Sequence, residues 1–354
     1  MLPHKEIIHG GDLVSAREQT GCSSLLDFSA NVNPLGLPDS VRSAIIQGLE
    51  QSTAYPDPLC RDLRRALSRY EQVPERSILC GGGANDLIFR LAYALQPKRA
   101  LLLAPTFAEY ELALAEVGCP CSYHILREEQ GFLPRPSLIQ EAKGYDLVLL
   151  CNPNNPTGAL MDPGLMHQVL ETCIHTGAVL AVDECFLDFL PQQEEHTLKA
   201  MLEHYDGLII LRAFTKIFAM PGLRLGYALS SGVELLRKMD QAGPAWNVSV
   251  PAQLAGIAAT GELDYLEQTR TLIPAERAWL QESLAALGLT VYPGAANYLL
   301  FRCREHGLAK QMARQGVLIR DCSNYRGLEP GYFRVAVRSR AENTALVRAM
   351  KECL

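Results

Sequence analysis

Short, wholly apolar runs separated by stretches of helical spacing constrain this chain more than any other feature. Ala100–Ala104, Leu147–Cys151, Ala178–Val182 and Leu208–Leu211 carry no polar side chain. Strands buried on both faces read this way, whereas a strand with one wet face alternates apolar and polar residues. Leu59, Leu63, Leu67 and Tyr70 instead recur every three or four residues, as on one face of a helix. Buried strands alternating with helices predict an α/β fold, a mostly parallel sheet covered by helices. After about residue 235 the pattern changes to a long helical stretch near 262–287. Strand candidates follow at Leu289–Tyr292, Tyr298–Arg302, Val317–Arg320 and Tyr332–Val337, and then a closing helix. We expect a smaller α+β domain there. Leu25–Phe28 is strand-like and is cut off by Pro34 and Gly36. The expected division is an N-terminal arm over 1–45 that joins the small domain, a large domain over 46–240 and a small domain over 241–354.

At 354 residues the chain can bury a large core, and 48% hydrophobic with 20% charged residues is ordinary for a soluble enzyme. A net charge of -6 without any Lys/Arg-rich run argues against a nucleic-acid surface and leaves small molecules as the expected partners. The first residues, Met-Leu-Pro-His-Lys-Glu-Ile-Ile, have no long apolar core, and no stretch approaches the ~18 apolar residues of a membrane span. A cytoplasmic protein without membrane attachment is expected. The eleven cysteines include no Cys-x-x-Cys pair and the eight histidines no ligand spacing, so we expect free thiols and no metal.

Ligands of open parallel sheets gather at the carboxyl ends of the strands, and here each apolar run is followed by residues that carry chemistry. Pro105-Thr-Phe107 follows the first, Asn152-Pro-Asn-Asn-Pro-Thr-Gly158 the second, Asp183-Glu184 the third and Thr215-Lys216 the fourth. Lys216 lies among Phe214, Ile217 and Phe218, surroundings that favour the neutral amine a Schiff base to pyridoxal phosphate needs. A surface lysine beside a buried segment is the alternative. Arg224, eight residues on, offers a fork of donors to a phosphate. Upstream, Gly81-Gly-Gly83 opens the helical pattern Leu87–Leu95, and the N–H groups of Ala84 and Asn85 at its start can hold a phosphate. An ordinary strand-to-helix turn reads the same way. Asp183 would be a costly buried carboxylate unless partnered, and a protonated pyridine nitrogen would partner it, an N-cap being the alternative. Asn155 suits the cofactor's phenolic oxygen and Phe107 its ring face, against a turn asparagine and a core aromatic.

In this order, Gly81–Gly83, Phe107, Asn155, Asp183, Lys216 and Arg224 resemble the fold-type I pyridoxal-phosphate superfamily, the class I and II aminotransferases, over essentially the whole chain. The resemblance implies pyridoxal 5′-phosphate as cofactor, a large domain with a seven-stranded-type sheet, and a homodimer in which Tyr55 reaches the neighbouring subunit's cofactor phosphate. Within the superfamily, His9-Gly-Gly11, Leu26-Asp-Phe-Ser-Ala-Asn-Val-Asn-Pro-Leu-Gly36, Phe107-Ala-Glu-Tyr110, Arg320-Asp-Cys-Ser-Asn-Tyr-Arg-Gly-Leu328 and Tyr332–Ser339 are similar to the threonine-phosphate decarboxylase branch. By that resemblance Arg334 holds the substrate α-carboxylate, while His9, Gly10, Asn31 and Arg320, with Asn155, hold the phosphate of a phosphorylated amino acid. Two separated anionic groups call for two separated cationic clamps, and arginine suits both. Surface ion pairs are the alternative for these two arginines. Histidinol-phosphate aminotransferase and a decarboxylase of O-phospho-L-serine are the other enzyme readings. A cofactor-binding regulator would need a DNA-binding segment, and none is left over. Two departures stand out: Phe186 replaces a tyrosine common in the aminotransferases, and Ala213 replaces a phosphate-binding Ser or Thr, leaving Thr215, Arg224 and the glycine turn to that task.

Overall fold

The computed structural model describes residues 10–22, 24–305 and 307–354. Thirteen strands are present among them: β1 (Leu26–Asp27), β2 (Ile78–Gly81), β3 (Ala100–Ala104), β4 (Cys121–Ile125), β5 (Leu147–Cys151), β6 (Val179–Asp183), β7 (Leu208–Ala213), β8 (Gly226–Leu229), β9 (Thr290–Val291), β10 (Tyr298–Arg302), β11 (Val317–Leu318), β12 (Arg320–Asp321) and β13 (Tyr332–Ala336). Seven form one sheet in the order β2-β8-β7-β6-β5-β3-β4, parallel except for β8, which runs against both its neighbours. The apolar runs lie in its middle, and β3, β5 and β7 are buried along their whole length. Helices such as Ala84–Leu95 and Pro163–Thr176 cover it and bury an apolar stripe against it.

Register decides where the chemistry falls. Cys151 pairs with Asp183 and Asp183 with Leu211, while Ala213 pairs with Gly226 and Gly226 with Gly81. The residues following β2, β5, β6 and β7 therefore emerge together at one edge of the sheet.

A second sheet, β12-β13-β10-β9, is antiparallel throughout, and β1 pairs in parallel with β11. The expected strand Val317–Arg320 is split: Val317 and Leu318 pair with Leu26 and Asp27 of the N-terminal segment, whereas Arg320 and Asp321 pair with β13. A continuous apolar run cannot reveal that its two halves join different partners. The third run is displaced by one residue, so Asp183 is the last residue of β6 instead of the first after it. Leu289–Tyr292 shrinks to the two residues of β9. Strands β2, β4 and β8 escaped the reading because β2 and β8 are short and contain glycine, and edge strand β4 mixes polar residues into a partly exposed run. All eleven cysteines are free thiols, and no helix among the described residues is long and apolar enough to cross a membrane.

Candidate active site

At the shared strand edge a cavity of about 260 Å³ is lined by Gly10, Asn31, Ala84, Asn85, Phe107, Asn155, Asp183, Thr215, Lys216, Arg224, Arg320 and Arg334, all expected from sequence. Lys216 lies in the four-residue helix Phe214–Ile217 that leaves β7. Burial, reinforced by the positive charges of Arg334 and Arg224, pushes its pKa down to about 8. The arm braces this lysine: Asn33 N–H donates to the Lys216 carbonyl at 3.0 Å and Asn33 Nδ2 to the Ile217 carbonyl at 2.8 Å.

Asp183 is buried, and each of its oxygens accepts a hydrogen bond, Oδ2 from the Tyr110 hydroxyl at 2.6 Å and Oδ1 from the Cys185 N–H at 3.0 Å. It caps no helix. Of the asparagines in the 152–158 loop, Asn152 and Asn154 are absorbed in holding the loop: Asn152 Oδ1 accepts from Met161 N–H, and Asn154 Nδ2 donates to the Pro105 carbonyl and Thr157 Oγ1. Asn155 alone of the three lines the cavity.

Gly83 precedes the helix Ala84–Leu95 with φ 93°, a conformation that excludes ordinary side chains. A Cβ there would also stand 2.8 Å from Arg224 Nη2, so the arginine fork rests directly against the glycine turn. The helix N-terminus supplies backbone N–H groups and the positive end of its dipole. Asn85 Oδ1 and Asn31 Oδ1 are buried without a hydrogen-bond partner.

Arg334, on β13, reaches into the cavity from the second sheet. Its Nη1 donates to Asn155 Oδ1, its Nη2 to the Ser29 carbonyl at 2.7 Å, and its guanidinium lies 5.5 Å from the Tyr298 ring centre. No carboxylate among the described residues pairs with it, so the surface ion-pair alternative does not apply. Arg320 donates to Asn324 Oδ1 at 2.8 Å and lies 5.4 Å from the Tyr325 ring centre. Tyr55 stands apart from the cavity, exposed and packed on the Trp246 ring at 5.0 Å. His9 lies outside the described residues. Ser29, Tyr110, Cys185 and Tyr325 also line the cavity but drew no role from sequence. For Tyr110 a signal existed, since it follows Phe107 by one helical turn and its ring meets that of Phe107 edge-on at 5.5 Å.

Residues 23–350 match the family described as aminotransferase class I and II. The chain is 40% identical over 352 residues to a threonine-phosphate decarboxylase of Salmonella typhimurium, covering 98% of this chain and 96% of that one. A crystal structure of the histidinol-phosphate aminotransferase from Clostridium acetobutylicum superposes with a TM-score of 0.87 at 30% identity, covering 93% of this chain and 98% of that one. The L-threonine-O-3-phosphate decarboxylase structure from Porphyromonas gingivalis shares the fold, with a TM-score of 0.83 at 24% identity over 93% of this chain and 98% of that one. With fold, cavity and sequence match in agreement, this chain belongs to the class I and II aminotransferase family, whose cofactor is pyridoxal 5′-phosphate.

Proposed function

We propose that this protein decarboxylates O-phospho-L-threonine to (R)-1-amino-2-propanol O-phosphate and CO2, a reaction of cobalamin synthesis. Arg334 carries the reading: it is a buried guanidinium held by neutral acceptors at a cavity wall, in a chain 40% identical to a threonine-phosphate decarboxylase. A substrate carboxylate supplies the missing counter-charge. Arg320, with Gly10 and Asn31, receives the phosphate at the other end, and a cavity with four cations, Lys216, Arg224, Arg320 and Arg334, suits an anionic cofactor and an anionic substrate together.

The residues fit pyridoxal 5′-phosphate. A glycine turn that a Cβ would fill, the partnerless Asn85 Oδ1 and a lysine pushed down to about 8 are the cradle and amine such a group requires. Gly83, Ala84, Asn85, Thr215 and Arg224 would hold its phosphate, Asp183 its ring nitrogen, Asn155 its ring oxygen, Phe107 its face and Lys216 its aldehyde carbon. Once bound, it supplies the electron sink for the pair left on the substrate Cα when the carboxylate departs as CO2. Arg334, fixed by Ser29 and Asn155, orients that carboxylate, and Lys216 Nζ delivers a proton to Cα. The buried walls formed by Phe186, Tyr110 and Cys151 exclude water. Exposed Tyr55 supports a homodimer in which it completes the neighbouring phosphate site. An arm over 1–45, a large domain over 46–240, a small domain over 241–354 and a cytoplasmic location complete the reading.

The test incubates cofactor-loaded protein with O-phospho-L-threonine and measures CO2 and aminopropanol phosphate, beside histidinol phosphate with 2-oxoglutarate. CO2 from the first without glutamate from the second is the expected outcome. The likeness to the clostridial aminotransferase favours the second reading, and glutamate without CO2 would establish it. O-phospho-L-serine in a third reaction reports whether the substrate methyl group is required.

A further inference from the structure

Tyr110 is fully buried, lines the cavity and spends its hydroxyl on Asp183 Oδ2 at 2.6 Å. Burial first, and then the charge of Asp183, push its pKa well above the ordinary phenol value. In the bond to Asp183 the phenol is the donor and the carboxylate the acceptor. The second Asp183 oxygen is taken by the Cys185 N–H at 3.0 Å. A carboxylate can turn about its Cβ–Cγ bond; with one donor fixed on each oxygen it cannot turn freely, and its remaining lone pairs are committed to one direction. The same tyrosine ring meets Phe107 edge-on at 5.5 Å and 79°. One turn of chain thus links a ring and a carboxylate that both line the cavity.

Resting on the reading that this cavity holds pyridoxal 5′-phosphate, we propose that Tyr110 is a positioning residue that aims the Asp183 carboxylate at the cofactor's ring nitrogen. It touches neither Arg334 nor Arg320 through any of its hydrogen bonds, so its influence passes through Asp183 and not through the substrate clamps. Tyr110→Phe keeps the ring and its packing on Phe107 and removes only the donor.

The experiment is a double-mutant cycle on the dissociation constant for pyridoxal 5′-phosphate, by equilibrium dialysis, in the unsubstituted protein, Tyr110→Phe, Asp183→Asn and the double variant. A hydrogen bond to a charged group sets the expectation of a loss of about tenfold for Tyr110→Phe alone. In the Asp183→Asn background the same change should alter affinity by less than about twofold. At saturating cofactor, Tyr110→Phe should lower kcat for O-phospho-L-threonine and leave KM unchanged. An equal loss in both backgrounds would mean that Tyr110 acts through packing and would overturn the proposal, as would no loss in either. Should Tyr110→Phe fail to fold, 3-fluorotyrosine at position 110 keeps the hydroxyl and should keep the affinity; a tenfold loss there also refutes the role. Cofactor binding without CO2 release would overturn the decarboxylase reading while the cycle still judged Tyr110. Absence of cofactor binding by the unsubstituted protein would overturn both.

Discussion

Arg212 and Arg334 are both buried on strands, 3% and 5% exposed, and each has an Nε without a partner, yet their surroundings differ in kind. Arg212 donates to Asp188 at 2.8 Å and to Glu184 at 2.7 Å. Burial works against its charge, but Glu71, Asp188 and Glu184 together hold its pKa well above the ordinary value. Among the described residues, Arg334 donates to the neutral oxygens of Asn155 and Ser29 and to no carboxylate. A buried cation with its anions in place belongs to the scaffold, whereas one held by neutral acceptors at a cavity wall still has an anion to receive.

The strongest way to break this comparison is to remove each guanidinium in turn. Arg212→Leu strands two buried carboxylates and should cost about 3 to 5 kcal/mol of stability, read as a loss of midpoint in urea unfolding. A midpoint near that of the unsubstituted protein would show that the Glu184–Arg212–Asp188 network is not the anchor described here. Arg334→Leu should lower kcat/KM for O-phospho-L-threonine by at least about 100-fold, or ~2.7 kcal/mol, with a much smaller shift in midpoint. If instead Arg334→Leu unfolds the protein and retains turnover per folded molecule, the contrast is reversed.

The pH dependence of Lys216 sharpens the same distinction, because its charge is opposed where that of Arg212 is supported. With a folded pKa of about 8 against an ordinary 10.5, the unfolded chain binds more protons between those values, so apo-protein stability should rise with pH across that window. The rate of cofactor capture should rise about fivefold from pH 7 to pH 8 as the neutral amine fraction grows. Lys216→Ala should abolish both dependences and the visible absorbance of lysine-linked cofactor. The smallest effect belongs to Ala213, which lines the cavity without a hydroxyl. Ala213→Ser should tighten cofactor binding by about 0.5 to 1.5 kcal/mol, and an unchanged dissociation constant would remove Ala213 from the account.

The proposed cofactor end of the cavity was legible because its residues follow apolar runs of a parallel sheet. Strands that share a direction bring whatever follows them to one edge, so Asn155, Asp183 and Lys216 could be placed together before any coordinates. The proposed substrate end was readable only through resemblance, since Asn31, Arg320 and Arg334 lie on short, partly exposed or antiparallel segments whose pairing is not encoded in spacing. Asn33, Ser29 and Tyr110 drew no role for a further reason: two act on backbone or through a backbone carbonyl, and the third through a carboxylate 73 residues away.

Sequence by itself determined the layered α/β architecture and the strand-end clustering of a lysine, a carboxylate and a glycine turn. Tertiary structure decided that Val317–Arg320 divides between two sheets, that Arg212 meets two carboxylates and Arg334 none among the described residues, and that the Tyr110 hydroxyl donates to Asp183. Periodicity and composition are local and survive in the one-dimensional chain, whereas counter-charges, register and the second hydrogen bond on a buried oxygen come from segments that meet only when the chain has folded.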